Sequence, residues 1–285
     1  MQIGYKTDVG RRRQLNEDAL MCYKLDAIYH SGSESVELLV VADGMGGHNA
    51  GEVASKLGIR VFLRECIRLL IEQSDRDHGV ASQGINEASA REIFTTAINA
   101  ANDAVCQKAR DQGLHGMGTT LVAALIAEQT MYVTNVGDSR CYIITNGEIT
   151  QVPKDHSLVQ EMVDASMITP EEAQRHPRRN EITRAIGAHA GITGDFYFCK
   201  LYENDTILLC SDGLTSVVPD QKIAEIVRAA RSPEQACNDL ITAANEAGGP
   251  DNITVIVAKP EQVPPLTDIM TANTEIRRTS VEASM

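Results

Sequence analysis

The sequence predicts an α+β protein made of layered sheets and helices, and three observations indicate this class. Strand-like segments follow one another with short connections at 119–127, 130–136, 140–145 and 148–152. Asn146-Gly147, between the last two, is a strong hairpin signal. Two long helical patterns precede these segments, and further strands and helices follow them. Because the strands are consecutive and their turns short, we expect an antiparallel meander beside helical layers rather than βαβ crossover units.

The N-terminal strands are predicted from short patterns. Residues 2–8 and 19–25 show alternating or apolar stretches that predict two strands. The apolar run 38–42 ends abruptly at Asp43-Gly44. Such a run predicts a buried strand, and the Asp after it places a carboxylate at the mouth of that strand.

Two amphipathic helices are predicted next. Apolar residues recur at helical spacing from Glu52 to about Gln73, where Gly58 favours close packing, and again over 87–112. The polar, glycine-containing stretch 74–86 is predicted to be the loop between them. The C-terminal half adds three strands and two helices, predicted at 193–200, 206–211 and 252–258 and near 220–230 and 233–247.

An irregular, charged insertion lies between core strands at about 155–187. Such a long connection is often functional, although a solvated surface insertion explains any single residue in it equally well, and His156 is left open between these two interpretations. From Pro260 onward a polar composition with Pro264-Pro265 predicts a disordered tail over 260–285. Residues 1–259 are therefore expected to form the folded domain.

Charge and cysteine usage exclude several classes. The chain has 26 basic and 39 acidic residues and a net charge of −13, which argues against binding to nucleic acid. Its seven cysteines contain no C-x-x-C pair and are expected to be core residues in a reducing compartment. No apolar segment approaches the roughly 20 residues that span a bilayer, and the N-terminus lacks signal-peptide features. We therefore expect a cytoplasmic protein without a membrane partner.

Acidic residues recur beside structural breakers. They stand in Asn16-Glu17-Asp18, Asp43-Gly44, Gly137-Asp138, Asp212-Gly213 and Pro250-Asp251. One Asp-Gly after a strand is usually a turn, but five such acids are hard to explain in that way. Converging carboxylates need a cation to stay ionised, and oxygen ligands favour Mg²⁺ or Mn²⁺. The histidines are scattered without a pair at metal-ligand spacing, which argues against zinc.

These motifs, taken in order, resemble the metal-dependent protein phosphatases of the PPM type (type 2C) in their compact bacterial form. The motifs are Arg13 with Asn16-Glu17-Asp18, Ala42 to Gly47, Gly118-Thr119-Thr120, Gly137 to Arg140, Ser211 to Leu214 and Gly249 to Thr254. The resemblance covers roughly residues 1–259. It implies a central antiparallel β-sandwich flanked by layers of antiparallel helices, with 155–187 as a flap beside the active site.

The resemblance also implies the reaction, which is hydrolysis of phosphoserine and phosphothreonine esters by a hydroxide bridging two Mn²⁺ or Mg²⁺ ions. Asp43 would bridge the ions and Gly44 would offer its carbonyl. Asp18, Asp212 and Asp251 would complete the coordination, and Glu17 would hold a coordinated water. Asp138, with Asp212, would support a third, weaker metal. The implied partners are phosphorylated proteins, with a cognate Ser/Thr kinase and its substrates.

Two catalytic roles are assigned outside the metal ligands. Arg13 matches the phosphate-binding arginine of the family, whereas Arg11 and Arg12 are interpreted as a solvated turn. Many animal members have a His after the Asp-Gly that acts as general acid, but Met45 stands at that position here. His48 is the candidate replacement, although an isolated His at the start of a helix is more often a cap or surface residue.

Rival functions lack their motifs. No H-C-x₅-R loop and no G-x-S-x-G elbow is present, and the P-loop-like Gly46 to Glu52 has Glu52 in place of the required Lys. The remaining alternative is a catalytically silent, phosphatase-like scaffold or phosphoprotein-binding module. Such a chain should have lost a metal-binding acid, and all of them are present, so an enzyme is favoured.

Overall fold

A computed structural model describes residues 1–29, 32–47, 49–76 and 84–260. His48 and the tail from residue 261 onward therefore lie outside the described residues. Eleven strands are assigned in this part of the chain. They are β1 (Gln2–Asp8), β2 (Asp18–Tyr29), β3 (Gly32–Met45), β4 (Gly118–Thr119), β5 (Leu121–Ala127), β6 (Thr130–Val136), β7 (Arg140–Thr145), β8 (Glu148–Gln151), β9 (Asp195–Lys200), β10 (Asp205–Cys210) and β11 (Ile253–Lys259).

Seven helices are assigned in the same part. They are α1 (Ala50–Arg76), α2 (Glu87–Gln112), α3 (Leu158–Asp164), α4 (Pro170–Arg175), α5 (Asp212–Thr215), α6 (Asp220–Ala229) and α7 (Pro233–Glu246). No helix in the described ranges is both long and apolar enough to cross a membrane.

The strands form two antiparallel sheets that pack face to face. One has the order β1-β11-β10-β7-β8, and the other has the order β2-β3-β5-β6-β9 with β4 paired to β3. Alternation along β3 shows how the layers arise, because successive side chains point to opposite faces. Leu39 and Val41 pack in the core between the sheets. Leu38 and Val40 pack instead against the helical layer of α1 and α2, which also contributes Phe62.

The second helical layer, α5, α6 and α7, covers the opposite face of the other sheet. Gly4 of β1 allows α7 to approach, because a Cβ at this position would collide with the backbone of Pro233 and Glu234. The predicted α+β architecture of a sandwich between helical layers is therefore confirmed.

The predicted meander is wrong in its connectivity. Strands β5 and β6 pair in one sheet, and β7 and β8 pair in the other. The chain crosses between the sheets at Gly137-Asp138-Ser139, where Gly137 has a φ of 115°. Periodicity predicts that these segments are strands, but it does not say with which strand each will pair.

The predicted flap is less irregular than its composition indicates, because it contains α3 and α4. Ser157 caps the first of these helices, and Thr169 and Glu172 form a capping box on the second, which begins with Pro170. A single bridge from Thr119 to Ile186 connects the insertion to the body of the protein, and a second bridge from Ser157 to Ile182 joins the beginning of the insertion to its end.

Candidate active site

The predicted acids come together at one end of the sandwich. Asp18 begins β2 and lies directly opposite Asp43 of β3 in the strand register. Asp212 begins α5 immediately after β10, and Asp251 lies two residues before β11. Asp138 lies in the crossing between the sheets. Like charges directly opposite each other destabilise an antiparallel strand pair. The pairing of Asp18 with Asp43 therefore lowers the stability of the fold unless a cation lies between the two carboxylates.

The Ser211 hydroxyl fixes the most buried of these acids. It donates to Asp18 Oδ2 at 2.8 Å and accepts from the Thr254 amide at 3.0 Å. Strand β2 is thereby joined to the ends of β10 and β11, which belong to the other sheet. Asp18 is only 7% exposed, whereas Asp43, Asp138 and Asp212 are half-buried. The cluster therefore has a buried floor and an accessible side.

Threonine hydroxyls fix the position of Asp43. The Thr120 hydroxyl accepts from the Asp43 amide at 2.9 Å, and the Thr119 hydroxyl donates to the Asp43 carbonyl at 2.8 Å. The Thr120 hydroxyl also lies 2.7 Å from the Ser139 hydroxyl, next to Asp138. This connection fixes the crossing between the sheets relative to the end of β3.

Asn252 joins the first and last site segments. Its amide nitrogen donates to the carbonyls of Val9 at 3.0 Å and Leu15 at 2.9 Å. Its amide oxygen accepts from the Glu17 amide at 2.8 Å. One side chain thus holds the loop of Glu17 against the segment of Asp251, although the two are more than 230 residues apart in sequence.

Burial and mutual repulsion dominate the electrostatics. Burial raises the pKa of Asp18 to about 7, and the charges of Asp212 and Asp251 add to the rise. Burial also raises the pKa of Asp138 to about 8, with Asp212 as its main charged neighbour. The pKa of Asp43 lies well above its ordinary value, because of burial first and then the charges of Asp18 and Asp212. A cation among these groups would favour their ionised forms.

Two further observations test whether a metal fits. Asp18 Oδ1 and Asp212 Oδ1 are buried and have no hydrogen-bond partner in the described part of the chain. Both are hard oxygen donors of the kind that Mg²⁺ and Mn²⁺ prefer. Across residues 1–29, 32–47, 49–76 and 84–260, no three acidic, His or Cys side chains enclose an ion by themselves. The unpartnered oxygens and the negative charge of the cluster therefore suit a divalent cation, although the described side chains do not by themselves enclose one.

Glu17 and Gly44 lie beside the acids, at the start of α1. Burial raises the pKa of Glu17, and the charge of Arg13 and hydrogen bonds from the Gly51 and Glu52 amides oppose this rise without cancelling it. A carboxylate is favoured at a helix N-terminus. A Cβ on Gly44 would collide with the Gly51 carbonyl, so only glycine permits this approach of β3 to the helix.

Arg13 lies on the exposed side of the cluster. Its Nη2 donates to Asp251 Oδ2 at 2.7 Å, and about half of its side chain is exposed. This bond is the main cause that raises the pKa of Arg13. The guanidinium is accessible to a phosphate, whose oxygens it can bind in the same bidentate manner as a carboxylate.

The structure brings together Arg13, Glu17, Asp18, Asp43, Gly44, Asp138, Asp212 and Asp251, and His48 lies outside the described residues. No role was predicted from the sequence for the supporting residues Ser211, Thr120 and Asn252, although all three lie in motifs that carry the family resemblance. Their partners among the predicted site residues are 77 to 235 positions away in the sequence, so no local pattern indicates these hydrogen bonds. Cys210, beside Ser211, is fully buried, and burial raises the pKa of its thiol to about 12, which argues against a thiolate nucleophile at this position.

The layered fold, with acids gathered at one end of the sandwich, defines the class of metal-dependent phosphatases. The family model of protein phosphatase 2C matches residues 14–243, and the chain belongs to this family. It is a metal-dependent protein phosphatase. The serine/threonine phosphatase stp of Listeria monocytogenes is 36% identical over 266 residues, which cover 91% of this chain and 96% of that protein.

Solved structures agree with this assignment. The serine/threonine phosphatase PstP/Ppp of Mycobacterium tuberculosis has 36% identity and a TM-score of 0.73, covering 92% of this chain and 100% of that chain. The catalytic domain of PstP in complex with two manganese ions has 34% identity and a TM-score of 0.72, covering 90% of this chain and 97% of that chain.

Proposed function

We propose that this protein hydrolyses phosphoserine and phosphothreonine esters of phosphoproteins with the help of two Mn²⁺ or Mg²⁺ ions. The observation that carries the proposal is the convergence of Asp18, Asp43, Asp212 and Asp251 from separate segments into one cluster with unpartnered oxygens. The names of the relatives as serine/threonine phosphatases, and the two manganese ions in one neighbouring structure, support it.

Each acid has a proposed place at the metals. Asp43 would lie between two ions with the Gly44 carbonyl on one of them, and Asp18, Asp212 and Asp251 would complete the set. Glu17 would hold a coordinated water, and Asp138 with Asp212 would take a third, weaker ion. When bound, the cations would supply an acidified water as nucleophile and positive charge for the phosphoryl oxygens.

The remaining roles belong to side chains that do not bind metal. Arg13 would bind the phosphate oxygens, exchanging its carboxylate partner Asp251 for the substrate. Arg13 holds the ester in place while Ser211, Thr120 and Asn252 keep the acids fixed. His48 is the candidate general acid for the leaving alkoxide. The catalytic domain would span 1–259, with 155–187 as a flap, and the enzyme would counteract a Ser/Thr kinase.

The experiment is release of phosphate from a phosphothreonine peptide. We expect release that depends on Mn²⁺, stops with a chelator, and falls by at least about 100-fold in Asp212→Asn, the scale of losing one transition-state charge partner. Asp239→Asn is the matched control, because it makes the same chemical change on the exposed face of α7. Activity that persists in chelator would refute the metal mechanism. A fully Mn²⁺-loaded protein without activity would favour the silent scaffold.

A further inference from the structure

The turn that carries Arg11 and Arg12 is fixed to the same loop as Asp251. The Arg11 amide donates to the Gly249 carbonyl at 2.8 Å. Gly10 has a φ of 80°, and a Cβ there would collide with the Asp251 carbonyl. The Gly10 amide also donates to Asp8 Oδ1 at 2.9 Å. The backbone of the turn is therefore held rigidly against the site.

The two guanidinium groups on this turn face solvent. Arg11 and Arg12 are both exposed, and within the described ranges neither side chain has an ion-pair or hydrogen-bond partner. The stem of Arg11 begins against Gly249, where a Cβ would lie 2.9 Å from Arg11 Cγ. The lack of a side chain at Gly249 thus leaves room for Arg11. An arginine with a fixed backbone loses less freedom when its side chain binds a partner.

The position of these cations is unusual for this chain. The whole protein has a net charge of −13, and the neighbouring cluster is acidic. A phosphorylated peptide is itself an anion, so the general field opposes its approach. Arg11 and Arg12 lie on the same turn as Arg13, and their Cα atoms are at most about 7 Å from that of Arg13. They are thus placed to contact residues that flank a phosphate bound by Arg13.

We propose that Arg11 and Arg12 form an arginine rim that binds an anionic group close to the phosphorylated residue of the substrate. The inference rests on the proposed function and deepens it, because it specifies the preferred substrates. These are phosphopeptides with a carboxylate or a second phosphate within two or three residues of the target. A guanidinium fork matches the geometry of both anions.

The test measures kcat and KM on matched phosphothreonine peptides. Their flanking residues are neutral, glutamate, phosphoserine or lysine. The wild-type enzyme should show the lowest KM for the anionic peptides. In R11Q/R12Q, KM for these peptides should rise by about 3- to 10-fold relative to the neutral peptide, as expected for losing exposed ion pairs. The glutamate and phosphoserine arms show which anion the rim binds better.

Two further variants separate charge at the rim from charge elsewhere. R60Q/R64Q removes the same charge from the exposed face of α1 and should leave the preference unchanged. R11K/R12K keeps the charge without the fork and should retain part of the preference, mainly at low salt. An unchanged KM ratio in R11Q/R12Q would overturn the rim while leaving the proposed function intact. Absence of wild-type hydrolysis of every peptide would overturn both.

Discussion

The Asn252 side chain helps to fix the geometry of the site. It makes three hydrogen bonds to the segment that carries Arg13, Glu17 and Asp18, and its neighbour Asp251 belongs to the cluster. One of the acids also joins these segments, because Asp251 accepts a hydrogen bond from Arg13 at 2.7 Å, but that bond lies on the exposed side of the cluster. The side-chain amide of Asn252 therefore holds the two acid-bearing segments at a fixed distance.

Replacing Asn252 by alanine should weaken both stability and activity. Three lost hydrogen bonds, with partly buried backbone groups left unpaired, should lower the free energy of unfolding by about 2–4 kcal/mol. Activity of the folded fraction should fall because Glu17 and Asp18 lose their fixed distance from Asp251. Urea unfolding and Mn²⁺-dependent phosphate release measure the two effects. Asn238→Ala, on the exposed face of α7, should change stability by less than about 0.5 kcal/mol. Equal urea midpoints for the two variants would contradict this role.

Some residues of the site can be predicted from the sequence and others cannot. The difference depends on how far apart in the sequence a residue and its partner lie. Asp43 and Asp212 follow apolar strands, so local pattern places them at strand ends. Ser211 bonds to Asp18 across 193 positions, and no local pattern reveals such a partner. The acids of the site can therefore be predicted from the sequence. The hydrogen bonds that hold these acids in place cannot, because they depend on the tertiary fold.

The secondary-structure elements could likewise be predicted only where their signals are local in the sequence. The helices α1 and α2 and the hairpin at Asn146-Gly147 were predictable, since their signals are periodic or local. The division of the strands between two sheets was not, because it depends on which faces pack. The crossing at Gly137 to Ser139 has no hydrophobic signal. This crossing nevertheless places Asp138 at the site, between the end of β6 and the start of β7.

His156 connects the flap to that crossing. Its Nδ1 accepts from the Gly137 amide at 3.1 Å, and its own amide donates to the Gly137 carbonyl at 2.8 Å. Its Nε2 lies 3.2 Å from Asp195 Oδ2, and Arg184 donates to the other oxygen of Asp195. The ring is buried and therefore acts as a structural pin. Of the two interpretations left open by the sequence, the surface residue is wrong for His156.

The stability of this connection should depend on pH. Burial first, and then Arg184, lower the pKa of His156, against the opposing effects of Asp195 and Asp155. The unfolded chain thus binds more protons below about pH 6.5, so the free energy of unfolding falls as the pH falls through that value. Protonation of Nδ1 also removes the acceptor of the Gly137 amide.

His156→Asn tests this dependence, because the Asn oxygen can replace Nδ1 as acceptor and does not titrate. The difference in unfolding free energy between wild type and variant should shrink or reverse from pH 8 to pH 5 in urea titrations. A difference that stays constant over this range would show that the imidazole of His156 does not titrate there.

At the scale of the whole molecule, repulsion among the acids of the site lowers the stability of the fold. Asp18 and Asp43 face each other on adjacent strands, and Asp212 and Asp138 add charge to the same end of a chain whose net charge is already −13. Such groups bring the protein nearer to the limit of its small net stability. A strand pair with apolar residues at these positions would be more stable. A bound cation would explain why acids stand there instead, because it would offset their repulsion.

Divalent cations should therefore stabilise the whole fold. At a Mn²⁺ concentration 100 times its dissociation constant, binding adds about 2.7 kcal/mol, which corresponds to a rise of roughly 5–10 °C in Tm for a domain of this size. Asp43→Asn should abolish most of that rise. In chelator it should melt above wild type, because it removes one of two facing charges. Asp239→Asn should behave like wild type in both conditions. If Mn²⁺ raised the Tm of Asp43→Asn as much as that of wild type, the stabilising ion would be bound elsewhere, and the cluster would not be its site.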